Sequence, residues 1–122
     1  MSELRVVIAD DAMFMRTVLK NLLLEENIEV VGEASNGNEA IELAKAERPD
    51  IMTLDITMPE LDGISAIPKI LEASPNTKII MVSAMGQQGM VIDAIKKGAK
   101  DFITKPFEKS RILQAIKKVM DY

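Results

Sequence analysis

The chain has 122 residues, 48% of them hydrophobic, with 15 basic and 19 acidic side chains and a formal net charge of -4. That length fits one domain with one core, and mild acidity without a basic stripe gives no reason to expect nucleic-acid binding. The complete lack of Cys and His excludes disulfides, thiolate and imidazole metal ligands, thiol nucleophiles and a Ser-His-Asp triad, so any metal must be held by oxygen, as Mg²⁺, Mn²⁺ or Ca²⁺ are.

Five short apolar runs alternate with five segments of helical period. The first run, residues 4–9, is followed by a stripe of Met15, Val18, Leu19 and Leu22. The second, residues 28–34, carries Glu29 and Glu33 and precedes Ala40, Leu43 and Ala44. The third, residues 51–54, leads to Ile67, Ile70 and Leu71, and the fourth, residues 78–82, to Val91, Ala94 and Ile95. The fifth, Asp101–Thr104, is followed by Ile112, Ala115, Ile116 and Val119. Each stripe has the spacing of a helix face packed on a core.

Alternation of this kind predicts an α/β fold, a doubly wound five-stranded parallel sheet covered on both faces. "VVIA", "IMTL" and "IIMV" read as central strands, whereas the mixed second and fifth runs suit edges, where the expected order 2-1-3-4-5 puts them. Residues 1–122 are expected to form a single domain. Pro68 falls in the first turn of the third helix if Ser65 is its N-cap, a position where its missing N–H costs little. No apolar run is long enough to cross a bilayer, and "MSELR" lacks a signal-peptide pattern. A cytoplasmic chain without membrane insertion, and a monomer, is expected.

The strand ends carry the chemistry. Asp10 and Asp11 follow the first, Asp55 ends the third, Ser83 ends the fourth, and Lys105 and Pro106 follow the fifth. Ligands of doubly wound sheets sit outside the carboxyl ends of the strands, where the strand order reverses. Asp10, Asp11 and Asp55 meet there in the expected order, flanked by Ser83 and Lys105. Two like charges 4 Å apart cost roughly 4 kcal/mol at an effective dielectric of 20. One Lys cannot offset three acids, but a hard divalent cation can, and it leaves positions for phosphoryl oxygens. With no His or Cys, Asp55 is the best nucleophile available, and carboxylates do form aspartyl-phosphates. Taken singly, each residue has a plainer role: acids favour helix starts, Ser83 suits a helix cap, and Lys105 suits a solvated surface. Their arrival together on one side favours the site.

"IADD", "LDITMPELDG", "MVSAMG" and "DFITKPF" resemble the receiver domains of two-component response regulators, over essentially the whole chain. Within that family the sequence is most similar to the stand-alone chemotaxis type. The resemblance implies that Asp55 accepts a phosphoryl group from a CheA-like histidine kinase. It implies that Asp10, Asp11, Asp55 and the carbonyl of Thr57 hold Mg²⁺, with Mn²⁺ also accommodated, and that Ser83 and Lys105 bind the phosphoryl group. The Lys105–Pro106 bond is expected to be cis. Phe102, where Tyr is frequent, is the switch aromatic, and Met85 and Thr57 occupy positions that tune phosphoryl lifetime. The implied partners are the kinase, a flagellar motor switch protein and a dedicated phosphatase. The chain is then a signalling switch rather than an enzyme, with at most slow self-phosphorylation and self-dephosphorylation. The alternatives are a relay intermediate of another two-component pathway, a Mg²⁺-dependent small-molecule phosphatase, a flavodoxin-like nucleotide binder and a phosphate-blind scaffold. Two acids where a phosphate loop should be, no Trp, and Tyr122 as the only Tyr count against flavin binding. Among the nine Met residues, Met15, Met52, Met81 and Met120 suit core filling. Met85 and Met90 suit either core or an adaptable surface. Lys96, Lys97 and Lys100 form a solvated face or a patch for an acidic partner.

Overall fold

The computed structural model describes residues 4–120, so Tyr122 lies outside the described residues. The elements run β1 Arg5–Ala9, α1 Met13–Glu25, β2 Glu29–Ala34, α2 Gly37–Glu47, β3 Ile51–Asp55, α3 Gly63–Ala73, β4 Lys78–Ser83, α4 Val91–Lys97, β5 Asp101–Thr104 and α5 Lys109–Met120. A single 3₁₀ turn, Gln88–Met90, precedes α4. All strand pairs are parallel and the sheet order is β2-β1-β3-β4-β5, the expected order, with the mixed second and fifth strands at its edges. Among the described residues, no helix is long and apolar enough to cross a membrane.

The side-chain period of two splits the interior into two clusters rather than one core. Val7, Met52, Leu54, Ile79 and Met81 meet α2, α3 and α4 on one face. Val6, Ile8, Ile51, Ile80 and Ile103 meet α1 and α5 on the other, through Leu19, Leu23, Ile112, Ala115 and Ile116. β1, β3 and β4 are buried from both sides, which is why they read as continuous apolar runs. Met52 and Met81 are fully buried, while Met15 and Met120 pack partly buried against the second cluster.

Two local expectations need correction. The N-cap of α3 is Asp62, not Ser65: Asp62 Oδ1 accepts the Ser65 N–H at 2.8 Å and Oδ2 accepts the Ser65 hydroxyl at 2.9 Å. Pro68 therefore lies inside the helix, beyond its first turn. In α4, Ala94 is the buried residue, and Ile95 is 44% exposed beside Ile92 at 66%.

Candidate functional site

The strands deliver their C-termini to one edge of the sheet, and the order reverses between β1 and β3. Ala9 pairs with Leu54, so Asp10 and Asp55 leave adjacent strands at the same level. Asp10, Asp11 and Asp55 each place a carboxylate oxygen within 4.8 Å of the others. Asp10 is 1% exposed and Asp55 6% exposed, while Asp11 faces solvent. Burying one unpaired carboxylate is costly and crowding three is more so, so this edge must be compensated or used.

Asp10 is held from several sides. Its N–H donates to the Ala34 carbonyl at 2.9 Å and its Oδ1 accepts the Ala12 N–H at 2.9 Å. Its carbonyl accepts from Arg16 Nη1 at 2.6 Å, and its Oδ2 from Lys105 Nζ at 2.7 Å. Lys105 Nζ also lies 3.5 Å from Asp55 Oδ2. It reaches the site because its N–H donates to the Ser83 carbonyl at 2.7 Å, and because Ser83 pairs with Thr104 across β4 and β5. Ser83 is 2% exposed at the end of β4. The Lys105–Pro106 peptide is cis.

The electrostatics follow from this geometry. Burial pushes the Asp55 carboxyl up to about 6; repulsion from Asp10 and Asp11 adds to the rise, while Lys105 and the Ile56 N–H pull it back. Burial acts to lower Lys105, but its bonds to Asp10 and attraction to Asp55 outweigh that and hold it above the ordinary lysine value. Lys105 thus stays an ammonium. Among the described residues Lys105 is the one cation paired with these carboxylates, which leaves the trio under-compensated, and an all-oxygen, carboxylate-rich donor set of this kind suits a hard divalent ion.

The remaining positions sit around this edge. Thr57 is exposed, and its hydroxyl accepts from Gln87 Nε2 at 2.6 Å. Phe102 is half-buried against the α2–α4 cluster, and Met85 is 72% exposed. Three supporting residues were missed in the sequence. Arg16 fixes the Asp10 carbonyl while pairing with Glu33 at 3.2 Å; a cation near a helix start opposes the dipole, a signal that could have found it. Gly63 starts α3 against β3, where a Cβ would stand 1.9 Å from the Asp55 carbonyl oxygen. Gln87 bridges two loops with no periodic trace in the sequence. A cavity between α2 and α3, lined by Ile41, Lys45, Arg48, Lys69, Glu72 and Ala73, contains none of these residues.

Comparison with known proteins agrees with this geometry. The response regulator receiver domain family matches residues 6–117. The chain is 59% identical to chemotaxis protein CheY of Thermotoga maritima over 115 residues, covering 94% of this chain and 96% of that protein. It is 58% identical to CheY of Listeria monocytogenes over 115 residues, covering 94% and 97%. Among solved structures, the CheX-CheY-BeF₃-Mg²⁺ complex from Borrelia burgdorferi superimposes with a TM-score of 0.90 at 38% identity, covering 96% of this chain and 89% of that one. An acid trio and a lysine on the carboxyl edge of a 2-1-3-4-5 sheet, matched along nearly the whole sequence, carry one conclusion: the chain belongs to the response regulator receiver family.

Proposed function

We propose that residues 1–122 act as one receiver domain of the chemotaxis type, a switch phosphorylated on Asp55 by a CheA-like histidine kinase. Asp55 supplies the nucleophilic carboxylate oxygen at the end of a rigid, buried strand. Asp10, Asp11, Asp55 and the Thr57 carbonyl hold Mg²⁺, which would neutralise charge on the transferring phosphoryl group. Lys105 offers a permanent ammonium to one phosphoryl oxygen and the Ser83 hydroxyl offers a donor to another. The observation that carries this reading is the convergence of Asp10, Asp11, Asp55 and Lys105 on the sheet edge.

The output is a protein contact. A phosphoryl group that binds Ser83 and Lys105 differently in two arrangements shifts the population between them. The responding surface is α4, β5 and α5 with Phe102, where Met85, Met90, Ile92 and Ile95 expose apolar area. The partner is a flagellar motor switch protein, and a dedicated phosphatase resets the switch. The relatives named chemotaxis protein CheY and the neighbour solved as a CheX-CheY complex support a chemotaxis switch that works by protein contact. Self-phosphorylation from small donors and self-dephosphorylation are at most slow, and the chain acts in the cytoplasm as a monomer.

Incubation with phosphoramidate and Mg²⁺ should add one phosphoryl group to the intact mass of the wild-type chain and none to Asp55→Asn. An adduct retained in that variant removes Asp55 from the role.

A further inference from the structure

Gln87 sits in the turn between β4 and the 3₁₀ turn that precedes α4, and its amide spans two loops. Oε1 accepts the Ala84 N–H at 2.9 Å, and Nε2 donates to the Thr57 hydroxyl at 2.6 Å. Each end of the amide meets a group of opposite sense, so both bonds form together. Thr57 lies two residues past Asp55, and Ala84 directly follows Ser83. The strands that carry these loops are neighbours, with Asp55 paired to Val82. Gly86, at φ +93°, provides the left-handed turn that leads the chain back towards Gln87. Little else anchors the loop: Ala84, Met85 and Gly86 are exposed, and segments with few buried contacts open readily.

We infer that Gln87 is a positioning residue for chemistry at Asp55. It straps the segment leaving β4 to the segment leaving β3, and so limits the approach of small molecules and water to the nearly buried carboxylate. This rests on Asp55 as phosphoacceptor. A strap that governs access acts on phosphoryl uptake and phosphoryl loss alike, whereas a group that takes part in only one step does not.

The test pairs amide hydrogen exchange with phosphoryl kinetics, using phosphoramidate and Mg²⁺ as the probe. Gln87→Ala should speed exchange at the Ala84 N–H several-fold, as expected for losing one hydrogen bond, and should accelerate both uptake and loss of the phosphoryl group. Thr57→Val should act in the same direction, and the double variant should add nothing beyond the larger single effect. Gln87→Glu, whose carboxylate accepts from both groups, should retain protection at Ala84. Wild-type rates in Gln87→Ala, independent effects of the two substitutions, or slower phosphoryl loss would each overturn the strap. Wild-type chain that takes up no phosphoryl group defeats the Asp55 assignment and the strap with it. Wild-type chain labelled at Asp55 beside an unaltered Gln87→Ala variant defeats the strap alone.

Discussion

Asp55 is placed where a carboxylate is uncomfortable, and that discomfort is measurable. Its carboxyl titrates at about 6 in the folded chain against an ordinary 3.8, burial being the first cause. Between those values the folded chain keeps a proton that the unfolded chain releases. Stability from this group is therefore present at low pH and is lost as pH rises towards 6. In chelator at pH 7, Asp55→Asn should raise the urea midpoint, and at pH 3.5 the gain should vanish. Mg²⁺ should narrow the difference, since a bound cation stabilises the full trio more than the two acids left in the variant. Equal midpoints at pH 7 would mean that the trio is not strained. Asp10→Asn should weaken Mg²⁺ binding sharply in a titration, because Asp10 is the most enclosed of the three acids and is gripped through both its backbone and its side chain.

At the scale of elements, α3 shows how the chain accommodates the site. Its first residue, Gly63, donates its N–H to the Ile56 carbonyl at 2.8 Å and lies hard against the Asp55 backbone. Gly63→Ala should displace β3 or α3, lower stability by about 2 kcal/mol or more as overpacking does, and depress phosphoryl uptake. Chemical denaturation together with intact mass would show both losses. Five residues on, Pro68 is exposed, cannot donate a helix hydrogen bond and crowds the preceding turn. Pro68→Ala should stabilise the chain by roughly 1–3 kcal/mol with little change in phosphorylation, read from the same denaturation curves. The stripe through Ile67 and Ile70 identified the buried face of α3, but Asp62 and Ser65 are both good caps. The choice between them depends on how closely Gly63 approaches β3. In α4, Ile92 and Ile95 compete for the same stripe in a helix of 7 residues, and both turn out exposed. Spacing alone cannot rank apolar residues that a short helix leaves unburied.

The whole molecule links a charged edge to an apolar surface. β4 ends at Ser83 and continues into Met85 and α4, and β5 carries Phe102 just before Lys105. Lys105→Ala should keep the fold yet abolish phosphorylation-dependent binding to a motor switch partner. Ile95→Asp should keep phosphorylation and lose the same binding, since it puts a charge on the partly exposed apolar surface of α4. A pull-down with the beryllofluoride-activated chain reads the loss of binding in both variants, and intact mass after phosphoramidate shows the label retained in Ile95→Asp. The sheet order and the acid trio were legible in the sequence because topology forces strand ends together whatever the loops do. Gln87 was not, because a side chain reaching from one loop to another leaves no repeat to detect, and Arg16 left only an unfavourable charge near a helix start.

The Lys105–Asp10 contact joins positions 95 residues apart. Closing it requires β1 and β5 to be docked on the intervening β3 and β4. A half-formed chain cannot own a working fraction of this centre. Mass labelling by phosphoramidate therefore doubles as a clock for refolding, since capacity for the label should return only once β1, β3, β4 and β5 are assembled.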